Sequence, residues 1–551
     1  MIRISNIKMP FTHTGGQLTA RIAAALCVKK EQILSLRIIK KSTDARRKPD
    51  IYYIYTIDVQ LPDGMEKAAL RKPHCKGKAD IQIGPADEKT YCFPTDNLPL
   101  FQTISENRRP VVIGSGPAGL FCAYFLTKCG LRPIVLERGK PVEQRKKDVE
   151  QFWKTGVLHP DSNVQFGEGG AGTFSDGKLN TLIKDKTGRG KEVLGIFVQA
   201  GAPEEILYEA KPHIGTDVLL TVIQNIRNEI IKGGGEIRFE SKVTDITVHH
   251  DHIKEVIING KERLMADTVV LAAGHSARDT FSMLYERRVP IEAKSFAVGL
   301  RVEHPRKMIN RIQYGMEESP YLKAADYKLT AQTTGGRGVY TFCMCPGGYV
   351  VNASSEDGRL AVNGMSYHGR AGDNSNSAVI VTVTPDDFES SHPLAGIAFQ
   401  RKLESKAYEI GAGKIPVETY GQFKHAISGQ PETRSALLQE YPDFLPSIKG
   451  SSSFAAVHEI LPMALSRAFV EGMEQFGRIL PGFSDSAVYV SGVESRTSSP
   501  VKIRRDETGQ SALRGLYPCG EGAGYAGGIT SAAMDGILIA EKIAERMKNN
   551  V

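Results

Sequence analysis

The feature that constrains this chain most is a glycine-rich turn between an apolar strand and a helix. Val111–Ile113 leads directly into residues 114–119, which read G-x-G-x-x-G, and an apolar helical pattern follows over 120–129. The first glycine permits a tight turn, the second lets the backbone approach a pyrophosphate, and the third allows the helix to pack on the strand. Free N–H groups at the helix start favour the phosphates. The sequence therefore predicts a dinucleotide-binding βαβ unit that begins near residue 110.

An acidic residue supports this prediction. The second strand, over 133–137, ends at Glu137, eighteen residues after Gly119. A carboxylate at this position can accept hydrogen bonds from both ribose hydroxyls, and it disfavours a 2′-phosphate.

Three further glycine-rich segments favour FAD over NAD, because a nicotinamide dehydrogenase does not require them. Residues 166–179 are expected to run along the pyrophosphate and the isoalloxazine, although a surface loop is the alternative. Residues 269–278 form a strand that ends in Ala-Ala-Gly. Residues 515–529 carry Glu521, which is expected to contact the ribityl chain, and open the last helix. The dipole of that helix could stabilise negative charge at the N1/O2 edge of a reduced flavin.

These segments supply the predicted cofactor-binding residues. They are Gly114, Gly116, Pro117, Ala118, Gly119, Glu137, Arg138, Gly170, Gly172, Thr173, Ser175, Asp176, Gly177, Lys178, Val243, Ala273, Gly274, Arg278, Gly520, Glu521, Gly522, Gly528 and Ile529. No catalytic residue is assigned. His275, Lys178 and Arg278 are the acid or base candidates near the flavin, and a covalent link at His159 is an open alternative. No metal site is expected.

The four segments together resemble a bacterial group of uncharacterised NAD(FAD)-utilising dehydrogenases, most closely over 169–179 and 517–536. The resemblance implies an FAD domain of the glutathione-reductase type, an N-terminal α/β extension and an inserted substrate domain. It implies no particular substrate, because a fold does not define a reaction.

The expected fold class is α/β. A Rossmann-type, three-layer FAD domain with a parallel sheet and a β-meander carries an inserted α+β substrate domain and a small ferredoxin-like α+β module. The predicted boundaries are 1–95 for the N-terminal module, 96–109 for a linker, 110–289 and 485–551 for the FAD domain, and 290–484 for the insertion. Within the module, the basic segment 42–50 is expected to form a hairpin loop.

The module is basic: residues 1–80 carry 16 Lys and Arg against 7 Asp and Glu. An electron carrier or another acidic partner could dock there. Nucleic-acid binding is the less favoured alternative, with phosphate contacts from Arg46, Arg47, Lys48, Arg71, Lys72, Lys76 and Lys78 and base stacking on Tyr52, Tyr53 and Tyr55. No apolar run is long enough to span a membrane, and no signal peptide is recognised, so a cytoplasmic location is expected.

Cysteine placement limits the redox chemistry. Residues 165–180 contain no cysteine, which excludes a flavin–disulfide relay from that loop. Cys343 and Cys345 are the one close pair, and we interpret them as buried structural thiols, with a redox role as the alternative. The leading hypothesis is an FAD-dependent dehydrogenase or reductase that passes hydride through flavin N5 to or from a small-molecule substrate. Because only one dinucleotide fingerprint is present, a dedicated NAD(P)H domain is not expected. NADH or NADPH could visit the flavin transiently, or a substrate or a protein donor could supply the electrons. The alternative is a flavoprotein whose basic module binds RNA or an acidic protein.

Overall fold

The computed structural model describes residues 1–71, 80–87, 90–94, 109–181 and 183–549. The predicted linker, apart from residue 109, and the predicted basic contacts Lys72, Lys76 and Lys78 lie outside these ranges.

The N-terminal module is a four-stranded antiparallel sheet with two helices. Its elements are β1 (Ile2–Pro10), α1 (Gly15–Leu26), β2 (Ser35–Arg47), β3 (Asp50–Gln60), α2 (Met65–Arg71) and β4 (Gln82–Pro85). The strand order β2-β3-β1-β4 is the ferredoxin-like topology that the sequence predicts. The expected long hairpin loop at 42–50 is wrong, because backbone pairing continues until Arg47 faces Asp50. Polar side chains there alternate on an exposed part of the strand and do not interrupt it.

The FAD domain follows with a strand–helix–strand start. Its first part contains β5 (Val111–Ile113), α3 (Pro117–Lys128), β6 (Ile134–Leu136), α4 (Val142–Thr155), α5 (Arg189–Gln199), α6 (Thr216–Lys232), β7 (Glu236–Arg238), β8 (Val243–His249), β9 (His252–Ile258), β10 (Glu262–Met265), β11 (Val269–Leu271) and α7 (Arg278–Glu286).

A second domain is built on mixed sheets. Strand β12 (Ile291–Ala293) precedes this domain and pairs with β23 (Val501–Ile503) of the FAD domain. The second domain itself contains β13 (Phe296–Pro305), α8 (Arg306–Tyr314), β14 (Thr330–Gln332), β15 (Gly338–Cys345), β16 (Tyr349–Asn352), β17 (Val362–Met365), β18 (Asn374–Val383), α9 (Ala395–Ile410), β19 (Ile415–Thr419), α10 (Tyr420–Ser428), α11 (Leu437–Glu440), β20 (Ile448–Lys449), β21 (Ser452–Phe454), α12 (Met463–Ile479) and β22 (Tyr489–Glu494). The chain then returns to the FAD domain with β23 (Val501–Ile503), β24 (Leu516–Pro518) and α13 (Ile529–Asn549).

The FAD domain has three layers. Its five-stranded parallel sheet has the order β24-β11-β5-β6-β7. Alternate residues of each strand face opposite sides: Val112 packs with α3, α6 and α13, whereas Val111 and Ile113 pack with α7 and the meander β8–β9–β10. This is the Rossmann-type FAD fold that the sequence predicts. The carboxyl ends of the strands meet at one edge, where ligands of such sheets bind.

The second domain covers that edge. Its seven-stranded sheet has the order β14-β15-β18-β13-β22-β19-β21, with β17-β16-β20 as a smaller sheet beside it. Because β22 pairs with β13 and β19, the return to the FAD domain occurs after residue 494 and not at the expected residue 485. The apolar sequence of β22 suits either sheet, so only its pairing decides the boundary.

The N-terminal module contacts the rest of the chain through the backbone of β2. The amide of Lys41 donates to the carbonyl of Tyr208 at 2.7 Å, and the ammonium of Lys41 pairs with Glu209 at 3.1 Å. Over the described part of the chain, the helices are too short or too polar to cross a bilayer.

Candidate functional site

An elongated cavity runs from the glycine-rich turn after β5 to the face of the second domain. At its first end, Gly114 has a φ of 99°, and a Cβ there would lie 2.8 Å from the carbonyl oxygen of Ala272. Both the left-handed backbone and the close approach therefore require glycine. Gly116 caps α3 without a side chain, and Pro117 occupies the first turn, so the backbone at the helix start faces the cavity. This end can hold a phosphate group.

Glu137 lies at the end of β6 and is almost fully buried. One carboxylate oxygen accepts hydrogen bonds from the amide and the hydroxyl of Ser115, at 2.9 and 2.7 Å. The other accepts from the amides of Gly139 and Gly167, at 2.9 and 3.2 Å. Glu137 lines the cavity as predicted, but it also fixes two loops. A ribose hydroxyl that binds Glu137 would therefore share a carboxylate oxygen either with Ser115 or with the amides of Gly139 and Gly167.

The loop formed by residues 163–175 is held by a buried arginine on α4. The guanidinium of Arg145 donates to a row of backbone carbonyls, those of Asn163, Val164, Gly167, Glu168 and Gly170. Burial lowers the pKa of Arg145 to about 10, so the group stays charged at neutral pH. The loop consequently lies across the glycine-rich turn, where a Cβ on Gly170 would be 3.2 Å from the Cα of Gly116. The alternative of a loose surface loop is wrong.

The ends of β11 and β24 form the opposite wall. They approach so closely that a Cβ on Gly522 would lie 1.9 Å from the carbonyl oxygen of Ala273. Nδ1 of His275 lies 3.4 Å from a carboxylate oxygen of Glu521. In the described structure, Nε2 of His275 is buried and has no hydrogen-bond partner. A buried nitrogen of this kind is expected to form a hydrogen bond with a ligand or a solvent molecule on that side. Gly528 and Ile529, at the start of α13, complete this wall.

The second domain closes the far end of the cavity with polar groups. Arg301 is fully buried, and its guanidinium binds Glu494 at 2.7 Å and the amide oxygen of Asn363 at 2.9 Å. Burial raises the pKa of Glu494, and the charge of Arg301 counteracts that effect. Lys178 lies opposite these groups, on the FAD-domain side of the cavity, and donates to the carbonyl of Met344. In the part of the chain that the structure describes, Lys178 forms no ion pair within 4 Å.

Most of the predicted cofactor residues line this cavity. They are Gly114, Gly116, Pro117, Ala118, Glu137, Arg138, Gly170, Gly172, Ser175, Lys178, Val243, Ala273, Gly274, Glu521, Gly528 and Ile529. Gly119, Gly520 and Gly522 lie behind it, where a Cβ would strike the backbone of the turn, the Cβ of Ala118 and the carbonyl oxygen of Ala273 respectively. Their role is close packing. Gly177 lies against Gly215, outside the cavity.

Three polar predictions are corrected. Arg278 does not face the cofactor cavity, because its guanidinium is buried against Glu404 at 2.7 Å. Asp176 is buried and paired with Arg370, so it is not available to a flavin. Thr173 is buried, and its hydroxyl interacts with the carbonyl of Glu168. The sequence marks these residues as polar neighbours of a glycine-rich loop but gives no sign of their distant partners.

His159 does not line the cavity either, and its carbonyl accepts a hydrogen bond from Asn163. A covalent flavin link at His159 is therefore unsupported. Several lining residues were missed because they come from the second domain or from unremarkable sequence: Gln165, Asn180, Phe342, Asn363, Glu494, Arg496 and Thr497. The one available sequence signal was the polar run that starts at Glu494, the last residue of an apolar strand.

The residues present fit FAD. The backbone at the glycine-rich turn and at the start of α13 is not covered by side chains, so it can bind the pyrophosphate and the edge of the flavin ring. Nε2 of His275 offers an additional contact. The cavity is longer than the βαβ unit alone and ends against the second domain.

Comparisons with known proteins agree. Residues 109–146 match a family described as an FAD binding domain, and residues 295–497 match one described as FAD-dependent protein, C-terminal domain-like. Residues 1–60 match a domain of unknown function. An uncharacterized protein of Clostridium beijerinckii is 45% identical over 551 residues, which are 99% of each chain.

Among solved structures, L-proline dehydrogenase from P. horikoshii is 14% identical, with a TM-score of 0.34 over 80% of this chain and 95% of that one. The flavin-dependent brominase Bmp2 is 12% identical, with a TM-score of 0.36 over 80% of this chain and 79% of that one. Likenesses this weak carry no argument, and the fold rests on the sheet topology above.

Proposed function

From the premise that this chain belongs to an uncharacterised family of FAD-dependent proteins that includes the Clostridium beijerinckii relative, we propose that it is a dehydrogenase or reductase for a small organic substrate. That the chain is an FAD-dependent oxidoreductase follows from its FAD-binding sequence match and its site. The substrate would lie between the FAD domain and the second domain. The observation that carries this proposal is one continuous cavity lined by both.

Bound FAD supplies two-electron chemistry through N5 of its ring. The chain supplies binding and orientation. The start of α3 would hold the pyrophosphate, Glu137 the ribose, and the start of α13 the electron-rich edge of the ring. At the far end, Lys178 and Asn363 offer a cation and an amide to a polar substrate group. The strands of the second domain would exclude water from that end.

An anaerobic visible spectrum of the purified protein tests this proposal, recorded before and after NADH or NADPH is added. Flavin bands that bleach with one nucleotide support a dehydrogenase or reductase with that nucleotide as the transient electron donor. Bands that remain with both nucleotides, and also with a panel of amino acids and hydroxy acids, would refute a small-molecule electron donor of these classes. A protein that binds no FAD after reconstitution would refute the proposal entirely.

We also propose that the basic module docks an acidic electron carrier, because Arg46 and Arg47 are exposed at the tip of the β2–β3 hairpin. Tyr55 is buried and Tyr53 donates to the carbonyl of Tyr321, so these rings are engaged in packing, which disfavours base stacking. Salt-dependent binding of polyglutamate that is weakened by Arg47→Glu would support the proposal. Binding of single-stranded RNA but not of polyglutamate would favour the nucleic-acid alternative. The proposal keeps a cytoplasmic location, which cell fractionation would check.

A further inference from the structure

We propose that Cys343 and Cys345 form a redox-active dithiol pair at the ring end of the cavity, which exchanges two electrons with the bound flavin. This inference rests on the proposed function for the presence of FAD in the cavity. Cys343 lines the cavity together with Lys178, Asn363 and Glu494. Cys345 is fully buried directly behind it, and both cysteines are free thiols in the structure.

A β-bulge places Cys343 in the cavity. Strand β15 pairs regularly with β18 as far as Phe342, which faces Ala378, but the next pair joins Cys345 to Asn376. One extra residue is therefore present on β15. Cys343 adopts a φ of 44°, in the left-handed region that residues other than glycine usually avoid. Bulges next to active sites re-aim side chains, and strain of this kind persists only where the surroundings impose it.

Two cations hold the bulge from outside the strand. Arg301 donates to the carbonyl of Cys343 at 2.9 Å, and Lys178 donates to the carbonyl of Met344. The guanidinium of Arg301 is itself fixed by Glu494. The position of Cys343 is thus determined by residues from the FAD domain and from two other strands of the second domain. A structural thiol in a core would not need such support.

The same cations act on the sulfur. The Cys345 thiol donates a hydrogen bond to the carbonyl oxygen of Cys343 at 3.1 Å, so its sulfur lies close to Cys343. The neighbouring Cys345 thiol, and then the charges of Lys178 and Arg301, lower the pKa of Cys343. Burial raises the pKa of Cys345, and the neighbouring Cys343 raises it more. These opposite shifts in pKa favour a thiolate at Cys343, beside the cavity, and a thiol at Cys345. Reactive dithiols combine an accessible thiolate with a less acidic partner in this way.

The proposed step balances in atoms and electrons. A sulfur–sulfur bond forms between Cys343 and Cys345, and the S–H bond of Cys345 breaks. The pair loses two electrons and one proton, all of which a bound, oxidised flavin would accept. The reverse step reduces the disulfide to a thiolate and a thiol. The holoenzyme consequently stores two electrons in the flavin and two more in the cysteines.

An anaerobic titration of the holoenzyme with dithionite measures this capacity after mild oxidation with diamide. We expect the wild-type protein to consume about twice as much reductant per flavin as Cys343→Ser or Cys345→Ser, because each couple takes two electrons. Cys92→Ser removes an exposed free thiol that does not line the cavity, and should titrate like the wild type. Equal consumption by all four proteins would overturn the inference.

Peptide mapping after alkylation provides a second readout that needs no variant and no turnover. In the oxidised wild-type holoenzyme, the peptide that contains both cysteines should resist alkylation and be two hydrogens lighter than its reduced form. After reduction, both thiols should be alkylated. Two alkylated thiols under both conditions would overturn the dithiol inference and leave the proposed function intact. A protein without flavin would instead overturn the proposed function, whereas a disulfide mapped in that apoprotein would show that the pair can still form it.

Discussion

Glu404 on α9 joins the two domains, and its replacement tests how the cavity is held together. Its carboxylate accepts hydrogen bonds from Arg278 at 2.7 and 2.8 Å, and from Arg496 at 2.9 Å through two nitrogens. The hydroxyl of Ser495 donates to it at 2.6 Å. Burial alone would raise the pKa of Glu404, but the two guanidinium groups lower it well below its usual range. The carboxylate is therefore charged at neutral pH.

Glu404→Gln keeps the shape of the side chain and removes its charge. Breaking a buried ion pair by removing one partner costs about 3–5 kcal/mol, since the remaining charges stay buried without compensation. For a domain of roughly 200 residues, each 1 kcal/mol lowers Tm by about 2–4 °C, so a decrease of roughly 6–20 °C is expected. Because Arg496 lines the cavity, FAD retention should fall as well.

Glu356→Gln is the matched control. This carboxylate also binds Arg278, at 2.9 Å, but its side chain is 22% exposed. Solvent screens such a pair, and its loss should cost about 1 kcal/mol or less. Thermal unfolding followed by circular dichroism and by flavin fluorescence measures both variants. A decrease in Tm for Glu404→Gln no larger than that for Glu356→Gln would refute the argument from burial.

Three further predictions concern the cavity and the second domain. Gly114→Ala should abolish FAD retention, as measured by the flavin-to-protein absorbance ratio, because the new Cβ would strike the carbonyl of Ala272 on a left-handed backbone. The control is Gly274→Ala, whose Cβ meets nothing within 4 Å and which should leave the Tm of the apoprotein unchanged. Arg145→Lys should weaken FAD binding by roughly tenfold in a fluorescence titration, because one ammonium cannot replace a planar guanidinium, and unchanged affinity would contradict the role of the 163–175 loop. Burial raises the pKa of Glu303 to about 7, so the wild type should lose stability as pH rises from about 4.5 through about 7. The Tm of Glu303→Gln relative to wild type should therefore increase over that range. A difference in Tm that stays constant with pH would contradict the raised pKa.

Local sequence was enough to predict much of the structure of the FAD domain. The short apolar strands, the G-x-G-x-x-G turn and the amphipathic α6 each occur with their neighbours in the order that a parallel sheet needs. The ferredoxin-like order of the N-terminal module was predictable for the same reason. The pairing of β22 was not, because an apolar strand of six residues can join any sheet that offers an edge.

The candidate site likewise has a part that could be predicted from the sequence and a part that could not. Glycines that line it could be found from the sequence, because the lack of a side chain is a local property. The direction of a polar side chain is not local: Arg278 belongs to a predicted cofactor segment, yet a carboxylate 126 residues further along the chain holds it away from the cavity. Asp176 is likewise withdrawn by Arg370.

The sequence by itself determined the FAD fold, the cofactor and the loops that approach it, since these depend on short-range periodicity and on backbone freedom. Only the tertiary structure decided which charges face the cavity and that Cys343 does so too. The spacing of Cys343 and Cys345 on one strand predicts that their side chains share a face, but it gives no sign of the bulge that places Cys343 at the cavity. That bulge is held by Arg301 and Lys178, which are distant in sequence, and the free energy of such contacts exists only once the domains have packed together.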